Sequence, residues 1–160
     1  MSYPRGGPAY TYSDFDALGR PVKMTGGASE EWAKEAQYDG AGRLARIKLL
    51  KGPGAGIYAT EQHGYNARGQ LTRLTIPGYL DEEYVYPATT NAGRIERNKD
   101  WDSGEEVAYQ YDELNRLTSA GTTGTDGWGL SFSYDGFGNR TAQTVTKGSA
   151  AGRGVRNHAG

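Results

Sequence analysis

Four aspartates, Asp16, Asp39, Asp112 and Asp135, recur in one local setting. Recurrent carboxylates suit calcium binding or acid–base work. Asp14-Phe15-Asp16-Ala17-Leu18-Gly19 opens like a calcium loop but lacks the later ligands and the closing glutamate. The pairs Glu30-Glu31, Glu82-Glu83 and Glu105-Glu106 have the makings of a glycosidase carboxylate pair. Each stands just before an expected strand, so exposed edge or linker charge is the simpler reading, and such charge discourages edge-to-edge pairing. Arg20, Arg43, Arg94 and Arg116 each follow a glycine or asparagine. They suit a phosphate or a sugar acid, but pairing across strands with the acids of neighbouring repeats is simpler. His63 has no nucleophile or metal partner in view, and His158 lies in the tail. Trp32, Trp101 and Trp128 are the candidate binding residues: exposed, they stack on sugar rings; buried, they cap a sheet. Gly127-Trp128-Gly129 has no phosphate-loop lysine. With no cysteine, thiolate metal sites are excluded. No catalytic residue, metal or cofactor is expected, and the chain reads as a non-enzyme.

The aspartates belong to a pattern. An aromatic precedes an acid or amide, then come two variable residues, a glycine, an arginine and an aliphatic. Tyr38-Asp39-Gly40-Ala41-Gly42-Arg43-Leu44 is the clearest copy, and Tyr111-Asp112-Glu113-Leu114-Asn115-Arg116-Leu117 is close to it. Phe15-Asp16-Ala17-Leu18-Gly19-Arg20 and Tyr65-Asn66-Ala67-Arg68-Gly69-Gln70-Leu71 are further copies. Tyr134-Asp135-Gly136-Phe137-Gly138-Asn139-Arg140 carries its arginine one place late, and Asn91-Ala92-Gly93-Arg94-Ile95 is degenerate. The turn positions Gly19, Gly42, Gly69, Gly93, Asn115 and Gly138 lie 23, 27, 24, 22 and 23 residues apart. A fixed period in this range marks a stacked repeat array.

Each copy reads as strand, turn, strand. In Val107-Ala108-Tyr109-Gln110-Tyr111 aromatics alternate with small or polar residues, a period of two. Asp, or Asn66, at the first turn position bonds the backbone two residues on. Glycine, or Asn115, at the fourth supplies positive φ. In the second strand the apolar phase slips: Leu44 faces one side and Ile47 and Leu49 the other, as do Leu71 against Leu74 and Ile76. One extra residue after the first aliphatic, a bulge, explains the slip. The links Gly52-Pro53-Gly54-Ala55-Gly56 and Thr122 to Gly127 read as loops. Ser29 to Ala36, which has some helical character, reads better as a strand leading into Tyr38. The chain thus divides into an extension over 1–9, a repeat array over 10–147 and a disordered tail over 148–160.

The fold class expected is all-β: antiparallel hairpin repeats forming a curved sheet. Glycine numbers 25 of 160 residues, about twice the usual share. Tyrosine numbers 12 against 3 phenylalanines and 2 methionines, which favours a thin sheet with half-buried rings over a thick core. Net charge is −1, which gives no broad attraction to nucleic acid or anionic membrane. No stretch approaches the length of a membrane span, and residues 1–8 lack a signal-peptide core. An open array ends in two unpaired strand edges, and near-zero charge gives little protection, so self-association is expected unless terminal segments cover them. The run from Tyr3 to Tyr12 is the better cover.

Residues 10 to 145 resemble the YD-repeat, or rearrangement-hotspot (Rhs), family, most closely at Tyr109-Gln110-Tyr111-Asp112-Glu113-Leu114-Asn115-Arg116-Leu117-Thr118. The family includes bacterial polymorphic toxins, insecticidal toxin-complex subunits, wall-associated proteins and teneurins. The resemblance implies a long β-sheet spiralling into a hollow shell, which encloses a C-terminal effector in the toxins and serves adhesion or carbohydrate contact elsewhere. It also implies a secreted or cell-surface setting. Six copies make a curved wall and not a closed container. The expected partners are therefore the rest of a larger Rhs-type polypeptide or an encapsulated effector, with carbohydrate as the alternative and glycoside hydrolysis as a remoter one.

Overall fold

The computed structural model describes residues 9–27, 30–50 and 56–148. The expected extension up to residue 8, the link at 51–55 and the tail beyond Gly148 lie outside them. Every regular element among the described residues is a strand. They are β1 (Tyr10–Phe15), β2 (Pro21–Gly26), β3 (Glu30–Tyr38), β4 (Leu44–Leu50), β5 (Ile57–Tyr65), β6 (Leu71–Ile76), β7 (Leu80–Val85), β8 (Arg97–Asp100), β9 (Glu106–Tyr111), β10 (Leu117–Thr122), β11 (Gly129–Tyr134) and β12 (Arg140–Lys147). Ser29 to Ala36 is accordingly strand, not helix, from Glu30 onward.

The chain divides into two compact units, Met1–Glu82 and Glu83–Gly160, with β7 spanning the division. In the first unit β1 to β6 pair antiparallel, each with its neighbour in the chain. In the second, β8 to β12 do the same. The all-β array of antiparallel hairpins is the architecture that forms, in chain order.

The bulges fall where the apolar phase slips. Tyr65 faces Leu71 while Gly64 faces Arg73, so Thr72 is the extra residue. Ala45, Thr118 and Thr141 hold the same place in β4, β10 and β12. The core is thin. The buried apolar residues are Ala33, Ala36, Leu50, Ala59, Val107 and Ala120, and no large side chain among the described residues is fully buried. Four of these six are alanine.

Two expectations need correction. The acidic pairs do not precede strands as free edge charge. Glu30 and Glu31 open β3, Glu82 and Glu83 lie inside β7, and Glu106 begins β9, all half-buried. Glu31 binds Lys23 at 3.1 Å and Lys34 at 3.4 Å, and Glu106 binds Arg97 at 3.3 Å. Interior strands tolerate these carboxylates because a cation stands beside each of the two. The degenerate copy also departs from the pattern. Gly93 has φ 86°, but its N–H goes to the Asn91 side chain at 3.0 Å, and the next strand starts only at Arg97. Thr90 stands where the other copies have Asp or Asn, so the capping oxygen comes from the following residue.

Candidate functional site

In the turn at Asp39, Gly42 N–H donates to the Asp39 carbonyl at 3.0 Å, and Asp39 N–H donates to the Arg43 carbonyl at 2.9 Å. Asp39 Oδ1 accepts from the N–H groups of Ala41 and Arg43, at 2.9 and 3.0 Å. Its Oδ2 accepts from Arg43 Nε and Nη2, both at 2.7 Å. The two backbone bonds and the Nε bond recur at Asp16 with Arg20 and at Asp112 with Arg116, and Arg20 adds Nη2 as Arg43 does. The fourth turn residues are left-handed: Gly19 φ 74°, Gly42 81°, Gly69 82°, Asn115 65° and Gly138 90°. Leu18 and Phe137, the third residues of their turns, project from the tips, Phe137 95% exposed.

Two copies alter the bridge, one at both partners and one at the arginine alone. Asn66 Oδ1 accepts from the N–H groups of Arg68 and Gln70, while its Nδ2 donates to Gln70 Oε1 at 2.8 Å. The pair keeps the bridge with neutral groups and the donor reversed. At Asp135, Asn139 takes the arginine's place, its Nδ2 donating to Oδ2 at 2.9 Å. The arginine that looked one place late, Arg140, begins β12 and lies over Phe132.

The arginines also join one repeat to the next. Arg20 lies over the Tyr38 ring at 4.4 Å, Arg43 over Tyr65 at 4.5 Å, Arg94 over Tyr111 at 5.2 Å and Arg116 over Tyr134 at 4.9 Å. Each of these tyrosines donates its hydroxyl to the carbonyl directly after that arginine. Tyr38 reaches Pro21 at 2.6 Å, Tyr65 Leu44 at 2.8 Å, Tyr111 Ile95 at 3.1 Å and Tyr134 Leu117 at 2.7 Å. A third contact runs from Nη1 to the next turn's first carbonyl: Arg43 to Asn66, Arg94 to Asp112 and Arg116 to Asp135. The expectation that these arginines pair with neighbouring acids is corrected. For Arg20, Arg43 and Arg116 the acid belongs to the arginine's own turn, because a side chain four residues on reaches it without crossing a strand, and the neighbour contributes a ring, with a carbonyl as well for Arg43, Arg94 and Arg116.

The electrostatics follow. The Asp16 carboxyl is held below its ordinary value chiefly by the hydrogen bond from the Arg20 side chain, and Asp39 and Asp112 chiefly by backbone N–H donors at Arg43 and Arg116. Asp135 is lowered by Asn139. A further capped turn, not read from the sequence, closes the β8–β9 hairpin. Asp100 accepts from Asp102 N–H, Ser103 N–H and the Ser103 hydroxyl, and is lowered mainly by that hydroxyl. Asp-x-x-Ser before Gly104 was its only signal.

The three tryptophans occupy different settings. Trp32, in β3, is half-buried, edge-on to Tyr10 and close to Gly26. Trp128 is half-buried, with Nε1 donating to Glu105 at 3.2 Å. Trp101, in the β8–β9 turn, is 48% exposed, with the Lys99 ammonium 4.0 Å from its ring and Nε1 donating to Glu83 at 2.8 Å. His63 sits between the Leu44 carbonyl at 2.9 Å and Glu61 at 2.6 Å. Among the described residues no group of three or more His, Cys, Asp or Glu side chains is arranged to hold a metal. No helix there is long and apolar enough to cross a membrane.

The fold and its contacts define a β-sheet of hairpin repeats linked by an arginine–tyrosine ladder. No protein-family model matches the chain, and no curated protein does. Solved structures do. The crystal structure of TcdB2-TccC3-Cdc42 is similar over 83% of this chain at 21% identity, with a TM-score of 0.66. That of TcdB2-TccC3 gives 83%, 20% and 0.65, and TcdB2-TccC3 without the hypervariable C-terminal region gives 87%, 15% and 0.57. The likeness is one of fold. The chain spans only 7% of the first two structures' chains and 9% of the third's.

Proposed function

We propose that this chain is a non-catalytic YD/Rhs-type structural segment, part of a shell or surface-interaction scaffold within a larger, toxin-type or cell-surface protein. One observation carries the reading: the repeated polar side chains are engaged in building the array. Each ladder arginine binds the following tyrosine, and Arg20, Arg43 and Arg116 also bind their own turn's aspartate. The hairpin-repeat likeness to the TcdB2-TccC3 chains supports a segment of something longer, and the Rhs resemblance supports a secreted or surface setting. The hydrolase alternative needs carboxylates free to act. Of the acidic pairs, Glu31 is held by two lysines and Glu106 by an arginine. Incubation with a panel of glycosides, comparing the native chain with Glu83→Gln and Glu105→Gln, tests the reading. No turnover is expected; turnover abolished by either change overturns it. Carbohydrate contact has one favouring observation: Tyr58 and Tyr79 are exposed with ring centroids 5.4 Å apart. Quenching or enhancement of tyrosine fluorescence by oligosaccharide, lost in Tyr58→Ala, is the outcome that reading requires.

A further inference from the structure

Strand β12 presents residues Arg140 to Thr146 as an unbroken exposed run. It contains no proline and no acid, and Arg140 and Lys147 stand at its ends. Among the described residues no strand lies on its outer edge, nor on that of β1. Strand β1 carries one acid, Asp14, which has φ 50° and shares the Lys23 ammonium of β2 at 2.8 Å, and no base, and Tyr12 and Phe15 in it are 63% and 58% exposed. Edge strands usually carry charge, proline or bulges that block further pairing. β12 has bulges at Thr141 and Thr146, and between them Ala142 to Val145 carries no charge and no proline.

We propose that β12 of one molecule receives β1 of a second copy, head to tail. The register comes from the array. At the β4–β5 junction Arg46 faces Gln62, and at β10–β11 Ser119 faces Ser131. Two residues nearer the turn, both junctions bring the first residue of the second strand, Leu44 or Leu117, beside the residue that precedes the next tyrosine, Gly64 or Ser133. Arg140 corresponds to Leu44 and Leu117, since each faces the aromatic of its own hairpin. Asp14 precedes the aromatic Phe15, as Gly64 and Ser133 precede theirs. The repeat's own register therefore sets Arg140 opposite Asp14 of the second copy, with Tyr12 over Ala142. Pairing β12 with a second β12 in full overlap sets Arg140 against Lys147, like charge against like.

The junction lacks two parts of the ladder. Asn139 stands where the arginine belongs, and Phe15 lacks the tyrosine hydroxyl. Association is therefore weaker than the internal junctions, and as a head-to-tail contact it joins copies into open chains or, where the rotation between copies closes, into rings of three or more. This inference does not depend on the scaffold reading. Sedimentation across a concentration series tests it on the full chain. The average mass is expected to rise without reaching a plateau at dimer, and less so in high salt. Arg140→Glu is expected to weaken association by about tenfold, from cross-strand attraction turned to repulsion. Phe15→Tyr with Asn139→Arg, which restores the ladder, is expected to strengthen it by about tenfold. A monomer at every concentration, a closed dimer, or an association indifferent to both changes overturns the proposal. The gain expected of the restored pair keeps the test decisive if Arg140→Glu fails to fold.

Discussion

At the scale of the residue, the turn aspartate is the best-determined position in the chain. Its two oxygens meet four N–H donors at Asp39, two from the backbone and two from the Arg43 guanidinium. The glycine that follows serves its conformation and its neighbour. Gly42 has φ 81°, and Arg20 of the preceding repeat comes within 3.7 Å of where a β-carbon would stand. Gly42→Val is expected to cost about 1–3 kcal/mol, because a branched side chain resists left-handed backbone. Asn115→Gly, at φ 65°, is expected to be near neutral; thermal melts of the two variants check both. The Asn66–Gln70 bridge suggests a sharper test. Asp39→Asn alone sets an amide against the guanidinium, and Arg43→Gln alone loses the stack on Tyr65. Made together they reproduce the neutral bridge, so the pair is expected to cost less than the two changes summed, by about 0.5–1 kcal/mol in a double-mutant cycle.

At the scale of the element, the hairpin and its bulge were open to reading before any coordinates. Type and spacing of Tyr, Asp and Gly fix a local conformation, and the slip from Leu44 to Ile47 reports one extra residue. The ladder was not open in the same way. Nothing in Arg43-Leu44 shows that the guanidinium will cover a ring 22 residues later, because that contact depends on how hairpins pack. The role of Asn139 was hidden as well, since an amide replacing an arginine keeps the bridge to Asp135 but not the motif. Strand β8 escaped notice because Arg97-Asn98-Lys99-Asp100 has no apolar alternation. The ladder gives the element-scale prediction. Tyr134→Phe removes only the bond to Leu117 and is expected to cost about 0.5–1.5 kcal/mol. Tyr134→Leu also loses the Arg116 stack and is expected to cost about 0.5–1 kcal/mol more, read from denaturant midpoints.

At the scale of the whole molecule, stability is spread over many small polar contacts and not gathered in a core. Acid attacks such contacts together. Asp16, Asp39, Asp100, Asp112 and Asp135 are all held below the ordinary carboxylate value. A carboxyl depressed in the folded state stabilises above its unfolded value and loses that contribution as pH falls through the folded one. The melting temperature is therefore expected to stay level from pH 7 to about 5 and to fall below about pH 4. Replacing Asp39–Arg43 and Asp112–Arg116 by Asn–Gln pairs is expected to shallow that fall; an unchanged profile assigns the acid response elsewhere. The ladder also has a direction. Arginine, carbonyl and capping aspartate belong to the earlier hairpin, and only the tyrosine ring and a carbonyl belong to the later one. A chain leaving the ribosome emerges N-terminus first. The hairpins of Arg20, Arg43 and Arg116 thus each present a guanidinium already held in place before its partner ring has been made, and at these junctions the array can be laid down one course at a time, in the order of synthesis.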